Sequence, residues 1–238
     1  MPLPADVVEP RSGTLPEGQV EAMFDRIASV YDAMNSVMTV GLDQRWRVRT
    51  ADLARVGPGE RVLDVATGTG DLAIELAGRG ADVIGCDFSD GMLELARRKA
   101  PQLTFEHANA LSLPYDDDSF AAATVGFGAR NFSDLERGLG EMVRVVRPGG
   151  RVVVLELTAP RKPPLSWFFR LWFDRIVPLL GRLAGDADAY SYLPSSVRRF
   201  PDADGLAAVM AGIGLGEIRY LITAGGVIAI HVGTVKAS

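Results

Sequence analysis

Arg61-Val-Leu-Asp-Val-Ala-Thr-Gly-Thr-Gly-Asp-Leu72 decides the fold of this chain. An apolar run of β type enters a tight glycine turn, and helix-forming residues leave it. A second carboxylate, Asp87, closes the next apolar run, Ala81-Asp-Val-Ile-Gly-Cys-Asp87. Strand, glycine turn, helix and a strand-end acid together describe a nucleotide-cofactor pocket at the carboxyl edge of a parallel sheet. Glycines at Gly68 and Gly70 let the backbone approach a ligand, and an acid at Asp87 accepts hydrogen bonds from ribose hydroxyls.

Outward from this unit, strands and helices alternate. Strands are expected at 61–66, 81–87, 103–108, 120–126 and 151–157. Helices are expected at 71–77, from a Ser89 cap to Lys99, and from a capping box of Ser133 and Glu136 to Val146. Such alternation implies an α/β, doubly wound, Rossmann-like sheet. Upstream, Phe24, Ile27, Tyr31, Met34 and Met38 recur at helical steps and form an amphipathic arm that Gly41 breaks. Another helix is expected at 45–56. Residues 158–200 interrupt the rhythm as an insertion after strand five. A helix at 202–211 restores it, and two extended runs, 217–222 and 227–235, flank Gly225-Gly226 as an antiparallel hairpin.

The chain has 238 residues, 47% of them hydrophobic, enough for one domain with a large core. Residues 1–18 read as a loose arm and 19–238 as the domain. A formal charge of −5 argues against nucleic-acid binding, which needs a basic surface. Cys86 stands alone, so no internal disulfide forms, and the expected location is cytoplasmic. It reads as a buried strand residue. Nothing approaches the roughly 18 uncharged apolar residues of a membrane span. His107 and His231 are too few and too far apart for a metal site, and none is expected.

Two cofactor classes compete for the glycine turn. A dinucleotide site wants a third glycine, which is absent here, and Asp71 at the helix start would repel a pyrophosphate. A cationic sulfonium would not be repelled, and Asp64 adds a second carboxylate. This polarity favours S-adenosylmethionine over NAD, while a helix-capping role for Asp71 is compatible with both. Asn109-Ala110, after strand three, sits where an amide and a backbone N–H read an adenine edge. Gly126-Phe127-Gly128, after strand four, sits under the reacting end.

Val62-Leu-Asp-Val-Ala-Thr-Gly-Thr-Gly70, Asp87 and Arg147-Pro-Gly-Gly150 resemble class I S-adenosylmethionine-dependent methyltransferases. Four further motifs, in order, resemble the quinone-biosynthesis C-methyltransferases. They are Tyr31-Asp-Ala-Met-Asn35 with Trp46-Arg47, Phe127-Gly-Ala-Arg-Asn131, Val145-Val-Arg-Pro-Gly-Gly-Arg151 with Leu155-Glu156, and Gly185-Asp-Ala-Asp-Ala-Tyr-Ser-Tyr-Leu193 with Phe200-Pro-Asp202. The resemblance implies methylation of a ring carbon of a polyprenylated quinol, with demethylmenaquinol as first choice. A 2-methoxy-6-polyprenyl-1,4-benzoquinol or another small molecule is the alternative. Carried over residue by residue, it places cofactor contacts at Thr69, Asp87, Asn109 and Ala110. A family serine is Gly126 here, leaving only a backbone contact, and a family histidine is Asp43.

For the chemistry, Arg130 is expected to hold a developing phenolate and Asn131 to orient the same oxygen. Tyr31 and Asp32 are expected as a lid. Asp186, Asp188, Tyr190 and Tyr192 are candidates for the quinol pocket and its proton acceptor. A prenyl tail needs an apolar groove or a bilayer. Trp167 to Phe173, near Arg161, Lys162, Arg170 and Arg175, has the composition of an interfacial segment, and equally of an oligomer interface. A peripheral contact at the inner face of the membrane and a homo-oligomer are the partner expectations beyond the quinol.

Overall fold

The computed structural model describes residues 17–39, 41–160, 163–171, 175 and 187–237. Its sheet has seven strands in the order β3-β2-β1-β4-β5-β7-β6. These are β1 Arg61–Val65, β2 Asp82–Asp87, β3 Thr104–His107, β4 Phe120–Gly126, β5 Val146–Leu157, β6 Leu215–Thr223 and β7 Ile228–Val235. The first five pair in parallel, and β7 runs antiparallel to both β5 and β6. The expected closing hairpin is therefore present, turning through Ala224–Gly226.

Period-two burial splits the core into two layers. Val62, Ala122, Val153 and Leu155 face α2 (Asp43–Ala54), α3 (Asp71–Ala77) and α4 (Asp90–Lys99). Leu63, Val65, Ala123, Val125, Val152 and Val154 face α5 (Leu135–Val145) and a later helix, Ala203–Gly212. Each fully buried Leu or Val contributes roughly 1.5–3 kcal/mol, so the central strands carry much of the stability. Between β5 and β6 lie α6 (Leu165–Leu171), α7 (Ala187–Arg199) and α8 (Ala203–Gly212).

Helix α1 (Glu17–Thr39) is the expected amphipathic arm. Its Asp25 Oδ1 accepts from Ser89 Oγ at 2.6 Å and from Gly91 N at 3.0 Å, which fastens α1 to the start of α4. Val20 and Met23 also pack against Tyr192 and Val197 of α7. Thus α1 and α7 close over the same edge of the sheet.

Several boundaries differ from expectation: β5 begins at Val146, five residues before the expected start, and takes in the segment expected as a turn. Helix α2 stops at Ala54 because Arg55 takes a left-handed conformation (φ 51°), before the Gly-Pro-Gly turn is reached. The cap of α5 is Asp134, whose side chain accepts from Arg137 N at 3.0 Å, and not the expected Ser133. Adjacent Ser and Asp are both good caps, and the register of the apolar face chose between them. Asp134→Ala should cost about 1 kcal/mol, read as a lower midpoint in urea unfolding at unchanged slope.

Candidate active site

The carboxyl ends of β1, β2, β3 and β4 open into one cleft holding about 930 Å³ of empty space, counted to its mouth. A ligand crevice outside the carboxyl ends of the strands is the rule for open α/β sheets. Asp64, Thr67, Gly68 and Thr69 line it from β1 and its turn. Asp87 and Phe88 line it from β2, Asn109 and Ala110 from β3, and Gly126, Phe127 and Asn131 from β4. Phe24 of α1 stands over it, edge-on to Phe88 with ring centres 6.3 Å apart.

Two buried carboxylates dominate. Asp64 Oδ1 accepts from Thr124 Oγ1 and Oδ2 from Thr67 Oγ1, both at 2.6 Å. Asp87 Oδ2 accepts from Gly68 N at 2.8 Å and Oδ1 from Ser89 N at 2.9 Å. Burial pushes each pKa up to about 6, against the hydrogen bonds that hold it down. Since 6 lies above the ordinary 3.8, the two acids stabilise the folded chain only when protonated. That contribution is complete below about pH 3.8 and is lost as pH rises through about 6.

Of the residues expected to hold the cofactor, Asp64, Gly68, Thr69, Asp87, Asn109, Ala110 and Gly126 line this cleft. Gly70 does not line it. A Cβ there would stand 2.9 Å from Phe105 at a φ of +84°, so Gly70 serves the close packing of turn against sheet. Asp71 lines the cleft but is not a bare charge. Lys99 Nζ reaches its Oδ1 at 2.6 Å, and Arg47 Nη2 lies 3.5 Å from its Oδ2. The electrostatic argument built on Asp71 therefore passes to Asp64 and Asp87. Asn109 Oδ1 accepts from Leu111 N at 2.8 Å and closes an Asx turn.

The residues expected to be catalytic divide. Asn131 lines the cleft, and its Oδ1 is buried with no hydrogen-bond partner. Arg130 lies behind that lining, its side chain 8% exposed and its Nη1 2.7 Å from Glu156 Oε1. Nη1 also donates to the Phe127 carbonyl. The cation expected to hold the phenolate is thus one half of a buried ion pair. Tyr31 and Asp188 lie on α1 and α7, with side chains outside the described residues, as are those of Asp32 and Tyr190; Asp186 lies wholly outside them. Tyr192 is buried beside Arg130 and Arg199, and burial raises its phenol pKa. His107 and His231 each bond a backbone carbonyl, of Phe88 and Ala203.

Sequence reasoning missed two residues. Glu156 is 1% exposed and accepts from Arg130 Nη1, Arg130 N and Leu157 N. Its signal was a glutamate inside the apolar run from Val152 to Leu157. Arg47 is 7% exposed, lines the cleft, and pairs with Asp43. Its signal was a lone arginine on the buried face of α2. Burial raises Asp43, but bonds from Thr39 and Arg47 and the Arg47 charge outweigh this and hold its pKa below the usual value. Glu156→Ala leaves the Arg130 guanidinium buried without its counter-ion; we expect a loss of about 3–5 kcal/mol, measured by equilibrium denaturation.

Comparison with known proteins agrees with this geometry. A family model described as the ubiE/COQ5 methyltransferase family matches residues 13–235. A demethylmenaquinone methyltransferase of Thermus thermophilus is 48% identical over 218 residues, covering 89% of this chain and 99% of the relative. A ubiquinone/menaquinone biosynthesis C-methyltransferase UbiE of Geobacter sulfurreducens is 39% identical, covering 90% and 88%. The crystal structure of a SAM-dependent methyltransferase from Thermotoga maritima superposes with a TM-score of 0.65 at 19% identity, covering 91% of this chain and 99% of that one, a likeness of fold. With its sheet order, its paired strand-end acids and a family match across nearly the whole length, this chain belongs to the ubiE/COQ5 methyltransferase family.

Proposed function

We propose that this chain transfers a methyl group from S-adenosylmethionine to a ring carbon of a polyprenylated quinol, with demethylmenaquinol as the acceptor. The observation that carries the donor reading is the pair of buried acids, Asp64 and Asp87, lining one cleft. A donor bearing a sulfonium and an ammonium fits such a site, and Gly68, where a Cβ would meet nothing, leaves room for it. The names of the relatives support the acceptor reading.

The donor supplies a methyl already activated on positive sulfur, so the protein's work is alignment. The reduced ring is the competent nucleophile, because loss of a hydroxyl proton loads electron density onto the neighbouring carbon. A quinone ring lacks that density. The new carbon–carbon bond forms as the carbon–sulfur bond breaks; the ring then sheds its displaced hydrogen as a proton and regains aromaticity. Asn131 orients the ring oxygen through its amide. Arg130 adds positive potential behind it, damped by Glu156. Tyr31, Tyr192 and Asp188 belong to the helices that roof the acceptor, with Asp188 as the proton acceptor.

A prenyl tail needs an apolar exit. Leu165, Trp167 and Leu171 of α6 are exposed, Trp167 to 64%, and Leu165 lies against Gly225 in the turn between β6 and β7. We assign this face to tail and bilayer contact. Among the described residues no helix is long and apolar enough to cross a membrane.

Labelled methyl transfer from S-adenosylmethionine to reduced demethylmenaquinol and to the reduced methoxy-benzoquinol tests the reading. We expect label in the naphthoquinol and none when the ring is oxidised. Label in neither acceptor rejects the quinol assignment, and label in both gives dual use. Binding of the donor should depend on pH through Asp64 and Asp87. A cation favours their ionised forms, so affinity should be full above about pH 7 and fall as pH drops through about 6. Calorimetric titration of S-adenosylmethionine at pH 5.0 to 8.0 measures this, and a flat profile removes the role given to the acids.

A further inference from the structure

We infer that Arg47 recognises the α-carboxylate of the donor's amino-acid part; this rests on the S-adenosylmethionine reading above. The donor is not simply a cation. Its amino-acid end carries a carboxylate, which Asp64 and Asp87 would repel. Something in the cleft must meet that negative charge.

Sheet order fixes where it lies. Along β3-β2-β1-β4, the adenine-side residues Asn109 and Ala110 follow β3, and the ribose-side acid Asp87 ends β2. The amino-acid part therefore lies over the ends of β1 and β4. Arg47 stands there, its guanidinium 5.8 Å from the centre of the Phe127 ring and 3.5 Å from Asp71 at the start of α3. It is the one cationic side chain among the described residues that line the cleft.

Its donors are only partly used. Nη1 donates to Asp43. Among the described residues Nε and Nη2 make no hydrogen bond, and Nη2 has only the 3.5 Å approach to Asp71, whose other oxygen is taken by Lys99 at 2.6 Å. An arginine side chain only 9% exposed, with unspent N–H groups on an open cleft, is a donor site for an anion. Its planar fork matches a carboxylate. Asp43 and Phe127 hold it still, so little ordering is needed on binding.

The test uses two pairs that differ at the amino-acid end: S-adenosylhomocysteine with 5′-methylthioadenosine, which lacks that end, and S-adenosylmethionine with its decarboxylated form. Calorimetry is run on the full chain and on Arg47→Met and Arg47→Lys, the second keeping a charge beside Asp43. We expect Arg47→Met to weaken S-adenosylhomocysteine roughly 10- to 100-fold and to leave methylthioadenosine unchanged. Arg47→Lys should lose an intermediate amount for the first ligand only. The unaltered chain should bind decarboxylated donor more weakly than the intact donor by a similar factor. Equal weakening of S-adenosylhomocysteine and methylthioadenosine would show a structural role and overturn the inference, as would equal affinity for the two donors. Failure of the unaltered chain to bind any adenosine ligand would instead overturn the donor reading on which it rests.

Discussion

Two carboxylates buried at a sheet edge are the constraint around which this cleft is built. Asp64 sits within β1 and needs donors where water cannot reach. The β1–β4 register places Thr124 directly beside it, and the turn after β1 brings Thr67 to its other oxygen. Asp87 is held from the same turn by Gly68 N and from the α4 cap by Ser89 N. Four donors still do not offset the loss of water, which is why both acids are pushed up to about 6. The folded chain thus carries an unfavourable charge pair near neutral pH, which the positive donor proposed above would relieve.

Backbone strain gathers at the same edge. Ala66 and Phe127, following β1 and β4, have φ of 50° and 60°, a region that bulky residues avoid. A Cβ on Gly128 would come within 2.5 Å of the Ala66 Cβ, so the two strand-end turns are pressed together. Phe127 is held by a bond from its N–H to the Leu155 carbonyl and by edge-on packing with Trp46. The surrounding packing over-determines these conformations, which is the condition under which strain persists at a ligand site.

What was legible in the sequence was periodic or local. Alternation of apolar runs marked β1 to β5 and the hairpin, and the glycine turn with Asp87 located the cleft. Long-range pairing was not legible. Glu156 and Arg130 are 26 positions apart, and Lys99 and Asp71 are 28 apart, so nothing along the chain announces that these charges neutralise each other. Arg130 was expected to face the phenolate and Asp71 the cofactor, and neither partner was visible for that reason. Arg47 was visible only as part of a motif, because its partners come from α2 itself, from α3 and from the segment after β4. The insertion resisted reading because its aromatic run lacked a single period, and α7 uses a helix with Pro194 inside it.

With Asp71 neutralised, one argument against a dinucleotide falls away. Asp43 with Arg47 and Asp71 with Lys99 form two cation–carboxylate pairs, so this corner of the cleft carries no net charge. A pyrophosphate would not be repelled there. The repulsion would come from Asp64, whose position the sheet register fixes and whose burial gives it a low-dielectric surrounding. Gly126 adds a steric element: a Cβ at that position would come 3.2 Å from Leu72 Cδ2, so Leu72 fills the space that a side chain after β4 would use. The preference we propose for a positive donor therefore rests on the strands, and α3 with its neutralised Asp71 supplies shape.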